Sequence, residues 1–179
     1  MIKAAIVNVV ATATVNQEID LYELGKFSEV LYDPEIYNGR VAYFKASSMR
    51  GRVSIFTSGK MISVGTKNES EAFRELECTK DFLVRKGFIK PITLECKIQN
   101  MVVEVNLGKS VNLEELAKNC KVVYEPEQFP GAILKIHEPH KATILIFASG
   151  RAIIAGLKGS DQISFVIQKM LEILKEYVC

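Results

Sequence analysis

Several families of function are closed off by what this chain lacks. It has two histidines and no tryptophan in 179 residues. His137 and His140 flank Glu138-Pro139 with no further ligand close by, so a plain turn is expected there and no metal. The four cysteines, Cys78, Cys96, Cys120 and Cys179, are scattered without a C-x-x-C pair, which argues against structural zinc and for reduced thiols. No apolar run approaches the roughly 20 residues needed to cross a bilayer. The N-terminus opens on a strand-like run rather than a signal peptide, so a soluble intracellular protein is expected. A glycine-rich phosphate loop, a nucleophile–base pair and a metal triad are all missing, so neither an enzyme nor a cofactor is expected. Neither sign of charge dominates. Residues 1–90 carry 13 Lys/Arg against 11 Asp/Glu, and residues 91–179 carry 10 against 10, matching the overall +2. A nucleic-acid partner would therefore be held largely by shape and apolar contact, with a few well-placed cations.

What is present is a duplication. Moving residues 8–39 forward by 92 lays Asn8 on Asn100, Leu21-Tyr22-Glu23-Leu24 on Leu113-Glu114-Glu115-Leu116, and Tyr32-Asp33-Pro34-Glu35 on Tyr124-Glu125-Pro126-Glu127. Moving 53–67 forward by 91 lays Ile55-Phe56-Thr57-Ser58-Gly59-Lys60 on Ile146-Phe147-Ala148-Ser149-Gly150-Arg151. Two repeats, 1–90 and 91–179, are expected to share one continuous sheet with two-fold pseudosymmetry. Duplex DNA is a ligand of matching symmetry.

Each repeat reads as strand, short helix, four strands, long helix. The first strands are expected over 2–15 and 92–107, both rich in Val and Ile. Short helices follow at 19–28 and 112–119, the second opened by Asn112 with Glu115 three residues on. Short strands end near Tyr32 and Tyr124. Further strands fall at 40–46, 52–57 and 60–66, matched by 131–137, 142–148 and 151–157, with hairpin turns at Ser58-Gly59 and Ser149-Gly150. Long helices close the repeats at 69–86 and 160–177. In the second of these Ile163, Val166, Ile167, Met170, Leu171, Leu174 and Val178 form one apolar stripe. Strands outnumber helices, which predicts an antiparallel α+β architecture with the helices on one side.

Period-2 alternation leaves apolar side chains on both faces of that sheet. Phe56 falls with Ser54, Phe147 with Leu145, Ile62 with Val64, and Ile153 with Ala155. Asn8, Val10 and Thr12 share a face, as do Asn100, Val102 and Glu104. Helices cover one face, so the other is a broad, mostly apolar interaction surface. A second copy of the chain, in a homodimer formed free of DNA, would cover it. So would the floor of a widened minor groove, where A·T pairs offer acceptors only and apolar wedges can enter base steps.

The same ordered motifs resemble the archaeal and eukaryotic TATA-box-binding protein family across essentially the whole chain. Tyr124-Glu125-Pro126-Glu127-Gln128-Phe129-Pro130-Gly131 carries the likeness most strongly. It is supported by Ile98-Gln99-Asn100, Leu145-Ile146-Phe147-Ala148-Ser149-Gly150, Asn8-Val9-Val10-Ala11-Thr12 and Ser58-Gly59-Lys60-Met61. The resemblance implies a duplicated saddle of about ten antiparallel strands, four helices on its convex face, and A/T-rich promoter DNA bent beneath the concave one. Carried over by position, Phe129 with Phe147 and Tyr37 with Phe56 are the wedge pairs. Asn8 and Asn100 donate to base acceptors, Val10 and Val102 pack on sugars and bases, and Ile62, Val64, Leu145, Ile153 and Ala155 line the same face. Lys60, Lys135 and Arg151 fall where the family contacts phosphates. Glu125 and Glu127 match carboxylates that meet transcription factor B, through which RNA polymerase is recruited.

Several positions depart from the family pattern. Ile36-Tyr37-Asn38-Gly39 stands opposite Gln128-Phe129-Pro130-Gly131, and Ser54 opposite Leu145. Val64 and Ala155 replace base-bonding threonines, Tyr43 replaces an arginine, and Glu104 puts a carboxylate on the surface expected to meet DNA. Two functions therefore stand side by side: a general transcription initiation factor, and a divergent TATA-binding-like paralogue that modulates initiation through protein contacts.

Overall fold

A computed structural model describes all residues, 1–179. Nine strands and four α-helices make an antiparallel α+β fold: β1 Lys3–Thr14, α1 Leu21–Leu24, β2 Val30–Leu31, β3 Val41–Phe44, β4 Arg52–Phe56, β5 Lys60–Thr66, α2 Glu69–Arg85, β6 Lys97–Asn106, α3 Leu113–Asn119, β7 Ala132–Ile136, β8 Ala142–Ile146, β9 Arg151–Leu157 and α4 Ile163–Leu174. The chain packs as two compact units, Asn8–Gln99 and Met1–Val7 with Asn100–Cys179. The long strand β1 contributes its first residues to one unit and the rest to the other.

In the Asn8–Gln99 unit the strands run β2-β3-β4-β5-β1. Alternation decides the faces: Val9, Ala11, Val53, Ile55 and Met61 are buried, while their neighbours Val10, Ser54, Phe56 and Ile62 are half-exposed. Helix α2 packs on β4 and β5. Its Ala72, Leu76, Phe82 and Leu83 are buried, and Phe44 and Phe82 meet at 4.7 Å between ring centroids. Leu76, Leu83 and the two phenylalanines each contribute about 1.5–3 kcal/mol by leaving water. Asn68 caps α2 by accepting from the Glu71 N–H at 2.8 Å.

The second unit orders its strands β6-β9-β8-β7. Met101, Val103, Val105, Ile144, Ile146, Ala152 and Ile154 form the buried face. Helix α4 buries Val166, Met170 and Leu174, an i, i+4, i+8 stripe narrower than the expected one. Val178 lies past its end, in a single bridge to Val111. Asn112 caps α3 by accepting from the Glu115 N–H at 3.1 Å, as the spacing predicts.

Several boundaries differ from the sequence-based expectation, and four of the differences have a local description. The tenth strand shrinks to one bridge, Val123 to Ile133. Residues 92–96 belong to no strand, so β6 starts five residues later than expected, at Lys97 rather than Ile92. The helix expected over 19–28 stops after Leu24: a side chain on Gly25 would sit 2.7 Å from the Tyr32 Cβ, and the chain turns there. Ser160–Gln162 forms a 3-10 turn before α4 begins. The two hairpin turns are as expected, with Gly59 at φ +91° and Gly150 at φ +89°, a region L side chains rarely enter.

Candidate nucleic-acid interface

Each unit exposes one face of its strands, and the registers line up the residues on it. In the Asn8–Gln99 unit one row runs Thr12, Ile62, Ser54, Tyr43 across β1, β5, β4 and β3. The matching row in the other unit runs Glu104, Ile153, Leu145, Ile133 across β6, β9, β8 and β7. Asn8, Val10, Phe56, Ile62 and Val64 are half-buried on the first open face, with Lys60 exposed. Asn100, Val102, Phe129, Leu145, Phe147, Ile153 and Ala155 are half-buried on the second, with Lys135 and Arg151 exposed. Glu125 and Glu127 are exposed on the connection before β7.

The two asparagines sit in the same device. Pairing between β1 and β5 slips by one residue between Val9 and Ala11, a bulge at Val64-Gly65 with Gly65 at φ +91°. The slip removes the Gly65 N–H from the ladder, and Asn8 Oδ1 accepts it at 2.8 Å. In the second unit the slip falls between Met101 and Val103, Gly156 stands at φ +94°, and its N–H donates to Asn100 Oδ1 at 2.7 Å. A backbone N–H can only be received by the amide oxygen. Both side chains therefore have a fixed orientation, with Nδ2 and its two protons turned away from the bulge.

Behind the first bulge the packing is peculiar to that unit. Gly51 lies so close that a side chain there would meet the Val64 carbonyl. Its N–H donates at 2.8 Å to Glu75, a carboxylate of α2 only 4% exposed. Burial pushes the Glu75 pKa up, against the downward pull of the Gly51 N–H. The repeat-matched residue of Glu75 is Val166, so the second unit buries an apolar side chain at that position.

Ring pairs occupy the end of each face. Phe129 and Phe147 meet edge to face at 5.8 Å, and Tyr37 and Phe56 at 6.0 Å. Gly131 makes room for the first pair, since a Cβ there would be 2.9 Å from the Phe129 ring. The connections that carry Tyr37 and Phe129 are unequal. Residues 33–40 separate Tyr32 from β3, whereas 125–130 separate Tyr124 from Gly131, two residues fewer. The longer connection coils through left-handed backbone at Tyr37 (φ +50°), Asn38 (φ +52°) and Gly39 (φ +71°), closed by the Tyr32 hydroxyl donating to the Gly39 carbonyl at 3.0 Å. A bulky residue such as Tyr37 is strained there, and its side chain is 65% exposed.

Cations are arranged differently in the two units. Arg151 Nη2 donates to Glu104 Oε1, so the arginine expected to meet phosphate is already engaged, and the carboxylate is not bare. The matched residues are Lys60 and Thr12, and Thr12 Oγ1 accepts instead from Gln99 Nε2 at 2.9 Å. Arg52 stacks its guanidinium over the Tyr43 ring at 4.4 Å, which sets a cation beside that tyrosine on the open face. Arg52, Ile133 and Thr143 belong to these faces and escaped the sequence reading; period-2 spacing from Phe56 through Ser54 to Arg52 is the signal that finds the first. His140 packs on Phe165 at 5.7 Å, and no group of metal-ligating side chains occurs. No helix is long and apolar enough to cross a membrane.

Two matched units, each an antiparallel set of strands with a helix packed on one face, can be compared with known proteins. The profile of the family described as transcription factor TFIID, or TATA-binding protein, matches residues 3–83 and 95–177. A TATA-box-binding protein of Methanocaldococcus jannaschii is 36% identical over 173 residues, covering 96% of this chain and 93% of that one. One of Cenarchaeum symbiosum is 35% identical, over 88% and 86%. The solved structure of Methanococcus jannaschii TBP superposes with a TM-score of 0.84 at 34% identity, covering 97% of this chain and 99% of that chain. The chain belongs to the TATA-box-binding protein family.

Proposed function

We propose that the chain is a general transcription initiation factor that binds A/T-rich promoter DNA in the minor groove and bends it. The paired asparagine latches carry this reading. Each leaves only donors pointing outward, and the floor of the groove at A·T pairs presents only acceptors, adenine N3 and thymine O2. Val10, Val102, Ile62 and Ile153 supply apolar contact around them, while Val64 and Ala155 offer no hydroxyl, so fewer base hydrogen bonds form there. The Phe129–Phe147 and Tyr37–Phe56 pairs act as wedges at base steps, which unstacks the duplex and kinks it. Lys60, Lys135 and Arg52 contact phosphates; Arg151 does so only on release from Glu104. The exposed Glu125 and Glu127 engage transcription factor B, through which RNA polymerase is recruited. The work is binding and deformation rather than catalysis. In a band-shift assay the protein with transcription factor B retards a TATA duplex, and end-labelled duplex shows increased energy transfer as it bends. Equal binding to random G·C-rich duplex refutes this function.

The strained connection at Tyr37 and the carboxylate of Glu104 favour a second function, a family member that modulates initiation through protein contacts. It forms a complex with transcription factor B or with itself and leaves the DNA unbent, so the same energy-transfer assay separates the two. Self-association through the open face would appear as a dimer in sedimentation that DNA dissolves.

A further inference from the structure

We infer that Glu104 is a specificity-determining residue that accepts a hydrogen bond from the N2 amino group of one guanine, so that one G·C pair is favoured within an otherwise A·T site. The inference rests on the minor-groove function proposed above. A G·C pair adds a single feature to the groove floor, the guanine amino donor. A carboxylate has no proton to give and is matched to that donor alone; against adenine N3 or thymine O2 it is mismatched. Glu104 lies on the open face of β6, between Asn100 and the end of the strand, with its Cα opposite Ile153. Its side chain is 36% exposed. Arg151 takes Oε1, which fixes the rotamer and offsets the charge that phosphates would otherwise repel. Oε2 has no hydrogen-bond partner in the structure and is the free acceptor. The first repeat has no equivalent: Thr12 stands in the matched row with its hydroxyl already accepting from Gln99. Only the half of the site read by the second repeat should therefore accept guanine, which would also set the protein's direction on the DNA.

The test is a position scan with three forms of the same duplex: all A·T, one G·C pair moved through every position, and the same pair with inosine, which lacks the N2 amino group, in place of guanine. Expected for the unaltered protein is one position, in one half of the site, where guanine binds roughly tenfold tighter than inosine. Glu104→Thr erases that difference and keeps or improves binding to the all-A·T duplex. If guanine and inosine bind alike or guanine binds worse at every position, the inference is overturned, and this comparison needs no altered protein. If Glu104→Thr merely tightens binding to every duplex alike, the carboxylate is only repulsive and the inference again fails. Failure to bind the all-A·T duplex at all would instead remove the minor-groove function itself.

Discussion

Changing Asn100 to aspartate separates what its side chain does for the fold from what it would do for DNA. The two residues have nearly the same shape. The oxygen that receives the Gly156 N–H at 2.7 Å is retained, and as a carboxylate it makes a stronger acceptor. The outward NH2, however, becomes a second oxygen. Against a floor of acceptors a donor is replaced by a charged acceptor, so one hydrogen bond is lost and two groups are left facing each other unsatisfied. The cost of an unsatisfied polar group is about 1–3 kcal/mol, with more for a charge. Binding should weaken by about 2–4 kcal/mol, or roughly 30- to 1000-fold at about 1.4 kcal/mol per decade. Urea denaturation of the free protein should change by less than about 0.5 kcal/mol. Asn100→Ala differs on both counts, since it also leaves the Gly156 N–H without a partner and destabilises the bulge. Fluorescence anisotropy with a TATA duplex and parallel denaturation read both quantities. An Asn100→Asp protein that binds DNA as tightly as the parent would refute the donor role. One that is badly destabilised would refute the latch.

Phe44, 1% exposed, and Phe147, half-buried on the open face, should respond oppositely to alanine. Phe44→Ala should cost about 3–5 kcal/mol of stability, whereas Phe147→Ala should cost far less yet weaken the DNA complex severely; denaturation curves and band shifts check the pair. Glu75 has a raised pKa from burial, so the folded protein holds that proton more tightly than the unfolded chain. Stability should accordingly fall as pH rises from about 4.5 through the raised value. Glu75→Gln should flatten that slope in urea titrations at a series of pH values. Lys135→Ala should weaken binding to every sequence alike and reduce the slope of log affinity against log salt by about 1, measured by anisotropy from low to high salt.

The architecture was readable from the sequence because alternation in β4, β5, β8 and β9 is nearly unbroken, and because each signal occurs twice. Helix ends were less readable: α1 ends where Gly25 meets Tyr32, a contact seven residues away that helix propensity does not encode. The extra length of the Tyr37 connection was hidden too, since a constant offset aligns Tyr32 with Tyr124 while strand pairing sets β3 against β4 independently. Most of the open face followed from spacing alone. Its polar chemistry did not. The Asn8 and Asn100 latches join residues 57 and 56 positions apart, and the Glu104–Arg151 pair joins residues 47 apart. Such partners emerge only when strand register is known.

The bulge latch also bears on the thermodynamics of encounter. A surface asparagine ordinarily samples several rotamers and forfeits that freedom on docking, at about 0.5–1.5 kcal/mol per immobilised side chain. Here both amides are already immobile, because folding itself tied their oxygens to Gly65 and Gly156. On the function proposed above, the protein would therefore meet DNA pre-organised at these two points, and neither amide would add rotamer entropy to the cost of association.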